Sequence, residues 1–206
     1  MKLMMKKEFE IDDQEIISKI LDEAQYGTLA LCAHNKPYSL PINFVEIDNQ
    51  IYFHGAKKGK KIDFLKENSF ASFSVVESYS MIQSYFSSTK GLACPATHFF
   101  KSVIIDGQIE FIDNYDEKVL MLDQLMVKLQ PEGNYKPLDK EVYTKAINAT
   151  TIYKLVPQTT KAKFKFGQNL TEERFDMIIE HLQNRAQEKD IATIKLMKEF
   201  KKARIL

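Results

Sequence analysis

The sequence predicts an α+β fold made mainly of antiparallel strands, arranged as a sheet or small barrel, with helices gathered at the C-terminal end. Three observations predict it. Apolar and polar residues alternate over several stretches, the signature of strands with one buried face. Hairpin-length connections join these stretches, which favours antiparallel pairing over a doubly wound parallel sheet. Segments of helical period fall between the strands and after the last of them.

In order, residues 12–25 read as a helix. Asp12 can cap it with Glu15 completing a capping box, and Ile16, Ile17, Ile20, Leu21 and Ala24 recur at helical spacing up to Gly27. "GTLALCAH" (27–34) is strand-like, and "NKP" is turn chemistry. In "YSLPINFVEI" (38–47), Tyr38, Leu40, Ile42 and Phe44 form one face, and Pro41, which has no N–H, belongs at an edge, at a bulge or against a ligand. "DN" (48–49) turns the chain into "QIYFHG" (50–55) as a hairpin. A short helix is expected over 58–67 with Ile62 and Leu65 inward, then a strand over 70–76.

Residues 77–96, rich in serine, read as a long irregular segment. "HFFKSVIIDGQIEFI" (98–112) is a long strand bent at Gly107. A helix over 116–129 carries Val119, Leu122, Leu125, Met126 and Leu129, and residues 149–156 form a last strand broken by Pro157. A basic connector (158–168) leads to a helix over 170–186, capped by Asn169 with Glu172 and lined by Phe175, Ile178, Ile179 and Leu182. A final helix over 190–203 takes Asp190 as its cap. The expected organisation is a domain over 1–157 and an extension over 158–206 made of the connector and the C-terminal helices.

Composition narrows the function. The 206 residues are 44% hydrophobic, enough for one medium domain with a sizeable core. A net charge of +1, from 29 basic and 28 acidic residues, argues against general nucleic-acid binding. Cys32 and Cys94 are the only cysteines, so a disulfide framework is not implied and reduced thiols in a cytoplasmic protein are expected. The N-terminal segment turns acidic at once, and no apolar run approaches about 18 residues, so neither a signal peptide nor a membrane span is expected.

One stretch stands out as chemistry. In "IYFHGAKKGKKIDFL" (51–65) a strand runs into a glycine-punctuated loop with four lysines and then a helix. A helix start offers unpaired N–H groups and a positive dipole end, so lysines gain nothing there unless an anion sits among them. A Walker A loop is excluded: Gly55 and Gly59 enclose three residues where four are needed, and Lys61 replaces the hydroxyl that holds magnesium. The competing reading of Lys57, Lys58, Lys60 and Lys61 is a solvated surface loop. Against it, His54 ends the strand, and Ser39 and Asn43 lie on the polar face of the preceding one.

Residues 40–76, with Pro-x-Asn, a turn, a strand ending in Phe-His and a Gly-Lys-Lys helix start, resemble the FMN-binding split-barrel proteins related to pyridoxamine 5′-phosphate oxidase. The nearest branch is the 5-nitroimidazole resistance or flavin-nucleotide-binding group. "HFFKSVIIDGQIEF" (98–111) supplies a second matching block, and the resemblance covers residues 12–157. It implies an antiparallel split β-barrel with FMN in a groove at a homodimer interface. By position, Lys60 and Lys61 would bind the phosphate, and His54, Gly55 and Ala56 would line the phosphate and ribityl chain. Pro41, Ile42 and Asn43 would pass along the isoalloxazine, with Ser102 and Lys101 reaching in from the later strand. His54 is the one candidate for an acid/base role. The implied activity is a nitroreductase-like or pyridoxamine-phosphate-oxidase-like oxidoreductase acting on a small acceptor. The oxidases proper carry a C-terminal segment with Trp and Arg-x-Leu; this chain has no tryptophan and its tail reads "KAKFKFGQNL" and then helices, which argues against oxidation of pyridoxamine phosphate itself.

Two alternatives stand beside this reading. One is a flavin carrier or sensor without turnover. The other is a haem-binding or haem-degrading split barrel, with His34, His54, His98 or His181 as iron ligand. Cys32 with His34, and Cys94 with His98, match no common zinc spacing, so no metal site is expected. The alternating "KAKFKF" run reads as an edge strand with solvated lysines or, as a minority reading, a second anion contact.

Overall fold

The computed structural model describes residues 7–203. In chain order the strands are β1 (Glu10–Ile11), β2 (Gly27–Ala33), β3 (Lys36–Ile42), β4 (Val45–Ile47), β5 (Gln50–Ala56), β6 (Phe70–Ile82), β7 (Thr97–Ile112) and β8 (Thr150–Lys165). The helices are α1 (Gln14–Glu23), α2 (Lys60–Glu67), α3 (Tyr115–Leu129), α4 (Thr144–Ala149), α5 (Glu172–Arg185) and α6 (Glu188–Ala203). The described residues form two compact units: one from Asp13–Val75 and Val103–Lys161, the other from the residues up to Asp12, Val76–Ser102 and those from Ala162 onward.

The strands are ordered β3-β2-β6-β7-β8-β5-β4, with β3 and β4 at the edges; the first unit holds β2 to β5 whole and parts of β6, β7 and β8. Two tight hairpins set its register. His34 and Asn35 both adopt positive φ between paired Ala33 and Lys36, and Asp48 and Asn49 do the same between Ile47 and Gln50. Such paired left-handed residues match the twist of the strands they join. Pro41 lies on edge strand β3 opposite Thr28, where a missing N–H is tolerated, as expected. At Gly107 a Cβ would stand 2.1 Å from the Val156 carbonyl oxygen, so glycine allows a close backbone approach there. Leu29, Phe44, Ile51, Phe53, Phe73 and Tyr153 form the buried centre.

In the other unit β1 pairs with the end of β8, Glu10 opposite Lys163. Phe166 packs edge-on against Tyr79 and stacks on Phe200. Phe175, Ile178 and Leu182 of α5 are buried, the face expected from their spacing. Asp190, 1% exposed, accepts hydrogen bonds from Ser80 Oγ (2.5 Å), Arg185 Nε (2.9 Å) and the Gln187 backbone N–H (3.0 Å).

Several boundaries differ from the expectation. Asp13, not Asp12, caps α1, accepting from the N–H groups of Glu15 and Ile16. Thr171, not Asn169, caps α5. Asp190 acts from inside the first turn of α6, reaching back to the N–H of the residue before the helix. β6 continues to Ile82, shortening the irregular segment, because Ser80 is buried against Asp190 and Thr193. α3 turns Lys118, Met121 and Leu125 inward, since the Lys118 ammonium reaches the Thr150 carbonyl. Pro157 does not end β8. It falls between the residues paired with β5, which stop at Leu155, and those paired with β1, which start at Ala162.

Candidate functional site

The basic loop forms between β5 and α2, as the sequence predicts. Gly59 precedes α2 with φ 122°, a conformation open to glycine, and offers no side-chain cap. The other helices with side-chain caps use Asp13, Asn114 and Thr171. The first N–H groups of α2 therefore take no side-chain cap, and Lys60 and Lys61 are its first two residues.

The two lysines reach in different directions. Lys60 Nζ lies 4.3 Å from the ring centre of Tyr38 on β3 and 5.4 Å from that of Phe64. Lys61 Nζ lies 4.4 Å from the ring of Tyr153 on β8 and 5.2 Å from that of Phe53 on β5. These rings stack 4.9 Å apart because β5 and β8 pair Phe53 with Tyr153. Gly55 completes the cradle: a Cβ there would come within 2.3 Å of Lys61 Nζ. Tyr153 donates from its hydroxyl to the Ala56 carbonyl (3.2 Å), pinning the strand end that leads into the loop.

Electrostatics set Lys61 apart. Burial lowers its ammonium below the ordinary lysine value. Neither Lys60 nor Lys61 pairs with a carboxylate of a described residue. Partial desolvation first, and the Lys61 charge second, hold the His54 imidazole below its ordinary value. Burial pushes the Tyr153 phenol up to about 12, so it remains a neutral donor.

Of the sequence-predicted residues, His54, Gly55, Ala56 and Lys61 lie at this cradle, and Lys60 turns away from it toward Tyr38. Pro41 and Ile42 lie on β3, whose Tyr38 meets Lys60, and the Asn43 side chain donates to the Gln25 carbonyl at 3.0 Å. Lys101 and Ser102 belong to the other unit. There Ser102 is buried, and Lys101 pairs with Glu77 at 3.2 Å beneath the ring of Tyr79. Sequence reasoning missed Tyr153 and the contact of Tyr38 with Lys60. The strand pattern marks both tyrosines, but only the pairing shows which lysine each meets. Among the described residues, no cluster of three or more His, Cys, Asp or Glu could hold a metal ion, and no helix is long and apolar enough to cross a membrane.

Sheet order, edge strands and the two C-terminal helices define an antiparallel split β-barrel with a helical extension. The family model described as pyridoxamine 5′-phosphate oxidase matches residues 13–164, and the chain belongs to that family. A candidate 5-nitroimidazole antibiotic resistance protein from Bacteroides thetaiotaomicron is similar in structure, with 19% identity and a TM-score of 0.61 over 75% of this chain and 85% of that one. A flavocytochrome from Azotobacter vinelandii matches at 23% identity and a TM-score of 0.65, over 78% and 72%. An FAD- and heme-binding protein from Mycobacterium smegmatis matches at 21% and 0.63, over 76% and 73%. At these identities the likeness concerns the fold. A search of curated proteins finds no significant match.

Proposed function

We propose that the protein is a homodimeric FMN-binding oxidoreductase that reduces a small acceptor, with the FMN phosphate held at the start of α2. One observation carries the reading: the half-buried Lys61 ammonium sits in a glycine-made cradle beside an uncapped helix start, with no carboxylate of a described residue pairing it. A phosphate fits this donor set. Two ammonium groups and the helix N–H groups would form charge-assisted bonds to its oxygens and offset the desolvation that Lys61 bears. Family membership and the flavin-binding proteins among the structural neighbours support the same reading.

FMN, when bound, supplies the redox chemistry, and the protein positions and tunes it. In this reading Lys60 and Lys61 anchor the phosphate, and His54, Gly55 and Ala56 follow the chain that leads from it. Edge strand β3 keeps one side of its backbone out of the ladder, so Ile42 and Asn43 can meet the polar rim of a flavin while Pro41 packs on it. His54, held below its ordinary value, is neutral at pH 7 and able to take a proton from a bound acceptor or donor. Lys101 and Ser102 would contribute across the assembled dimer.

The flavocytochrome and the heme-binding neighbour favour one second reading, a haem protein of the same fold. Absorbance of the purified protein separates the two. Flavin bands released as FMN on denaturation support the proposal; a Soret band supports haem. If FMN binds but NAD(P)H oxidation shows no acceptor dependence, the protein is a carrier or sensor.

A further inference from the structure

A cavity lies wholly within the unit that contains α5 and α6, and none of its lining residues belongs to the proposed flavin site. It holds about 220 Å³. Pockets for drug-sized ligands hold ~300–1,000 Å³, so this one suits a smaller molecule. Phe99 and Ile178, both buried, and Leu170 give it an apolar floor.

Its charged lining is cationic. Lys165 and Arg174 face it, and no Asp or Glu is among its lining residues. Lys165 Nζ donates to Thr97 Oγ1, which also lines the cavity. Arg174 donates from Nε to the Ser87 carbonyl (3.0 Å) and from one terminal nitrogen to Ser87 Oγ (3.2 Å). Ser87 thus takes two of the five N–H donors of a guanidinium and fixes its plane without neutralising its charge. No carboxylate of a described residue pairs with Arg174. An adjoining recess shares Ser87, Cys94, Pro95 and Arg174 and adds Lys90 and Glu173, so the cavity lined without a carboxylate is the better match for an anion.

We propose that this cavity binds a small organic anion, a carboxylate or phosphate ester with a compact apolar body. Arg174 and Lys165 grip the anionic head, and Phe99 and Ile178 receive the body. A rigid guanidinium offers paired donors to a carboxylate or phosphate, and a partly desolvated site strengthens that contact. The site adds a ligand-binding function that does not depend on the flavin reading.

Cys94 lines the cavity and is exposed, which gives a direct readout. In Cys32→Ser protein it is the sole thiol. Its rate of maleimide labelling is measured while benzoate, phenyl phosphate or benzamide is titrated, with calorimetry of the same titrants on unmodified protein. Saturable protection by benzoate or phenyl phosphate, with little from benzamide, supports the site, and the tighter of the two anions identifies the head group. Arg174→Gln should weaken that protection about tenfold or more. Equal protection by benzamide, or none by either anion at tens of millimolar, overturns the proposal. The benzamide comparison needs no Arg174 variant, so the test stands even if Arg174→Gln fails to fold.

Discussion

The Lys61 ammonium lies 4.4 Å from the centre of the Tyr153 ring. The contact favours a cation, but burial lowers the lysine below its ordinary value, so the free protein holds this charge at a cost. Lys61→Met keeps the length of the side chain and removes the charge. It should leave the FMN-free protein at least as stable, with Tm unchanged or raised, while FMN binding falls sharply. Calorimetric melting of FMN-free protein checks the first effect; a lowered Tm would show that the ammonium is a net stabiliser.

Gly55→Ala separates the cradle from the fold. The new methyl would meet the flexible end of Lys61 at 2.3 Å and an edge of Tyr153 at 3.3 Å. Lys61 can swing aside, so Tm should change by no more than a few degrees, while FMN affinity drops about tenfold with the loss of one charge-assisted contact. Fluorescence titration and thermal melting together test this. An unchanged affinity would place the phosphate elsewhere.

His54 gives the native state a pH signature. Its folded value is held below the ordinary 6.5, so the native protein binds fewer protons than the unfolded chain below that pH. The contribution is neutral above pH 6.5, and stability falls as pH drops from 6.5 through the native value. Urea denaturation of wild type and His54→Gln between pH 5 and pH 8 should show a shallower slope in the variant. Identical slopes would rule out this role for His54.

Asp190 carries the opposite kind of linkage. The Arg185 guanidinium, opposed by burial and joined by Ser80 and the Gln187 N–H, holds its carboxyl below the ordinary 3.8. Its contribution is present above pH 3.8 and is lost as pH falls through the lower native value. Asp190→Ala leaves Arg185 with the Met81 and Gln83 oxygens but without its carboxylate and should cost about 3 kcal/mol in urea denaturation at pH 7. A loss under about 1 kcal/mol would mean that the pair acts as an exposed one does.

Local chemistry was readable in the sequence, and long-range pairing was not. The Asp48–Asn49 turn, the edge position of Pro41 and the inward Ile62 and Leu65 of α2 each follow from a few neighbouring residues. The uncapped helix start with its lysines was equally plain. Ser80 looked like loop because its partners, Asp190 and Thr193, lie more than a hundred residues away. Lys118 defeated the helical pattern of α3 because a buried lysine does not count as apolar. Tyr153 became part of the site only through the register that sets it opposite Phe53.

The proposed role of Lys60 and Lys61 is to hold the phosphate of FMN. Equilibrium titration with FMN and with riboflavin, which lacks the phosphate, tests it on wild type and on the double variant Lys60→Ala, Lys61→Ala. Wild type should bind FMN much more tightly than riboflavin, and the double variant should keep its fold and bind FMN no better than riboflavin. A folded double variant that retains the full preference for FMN would contradict it.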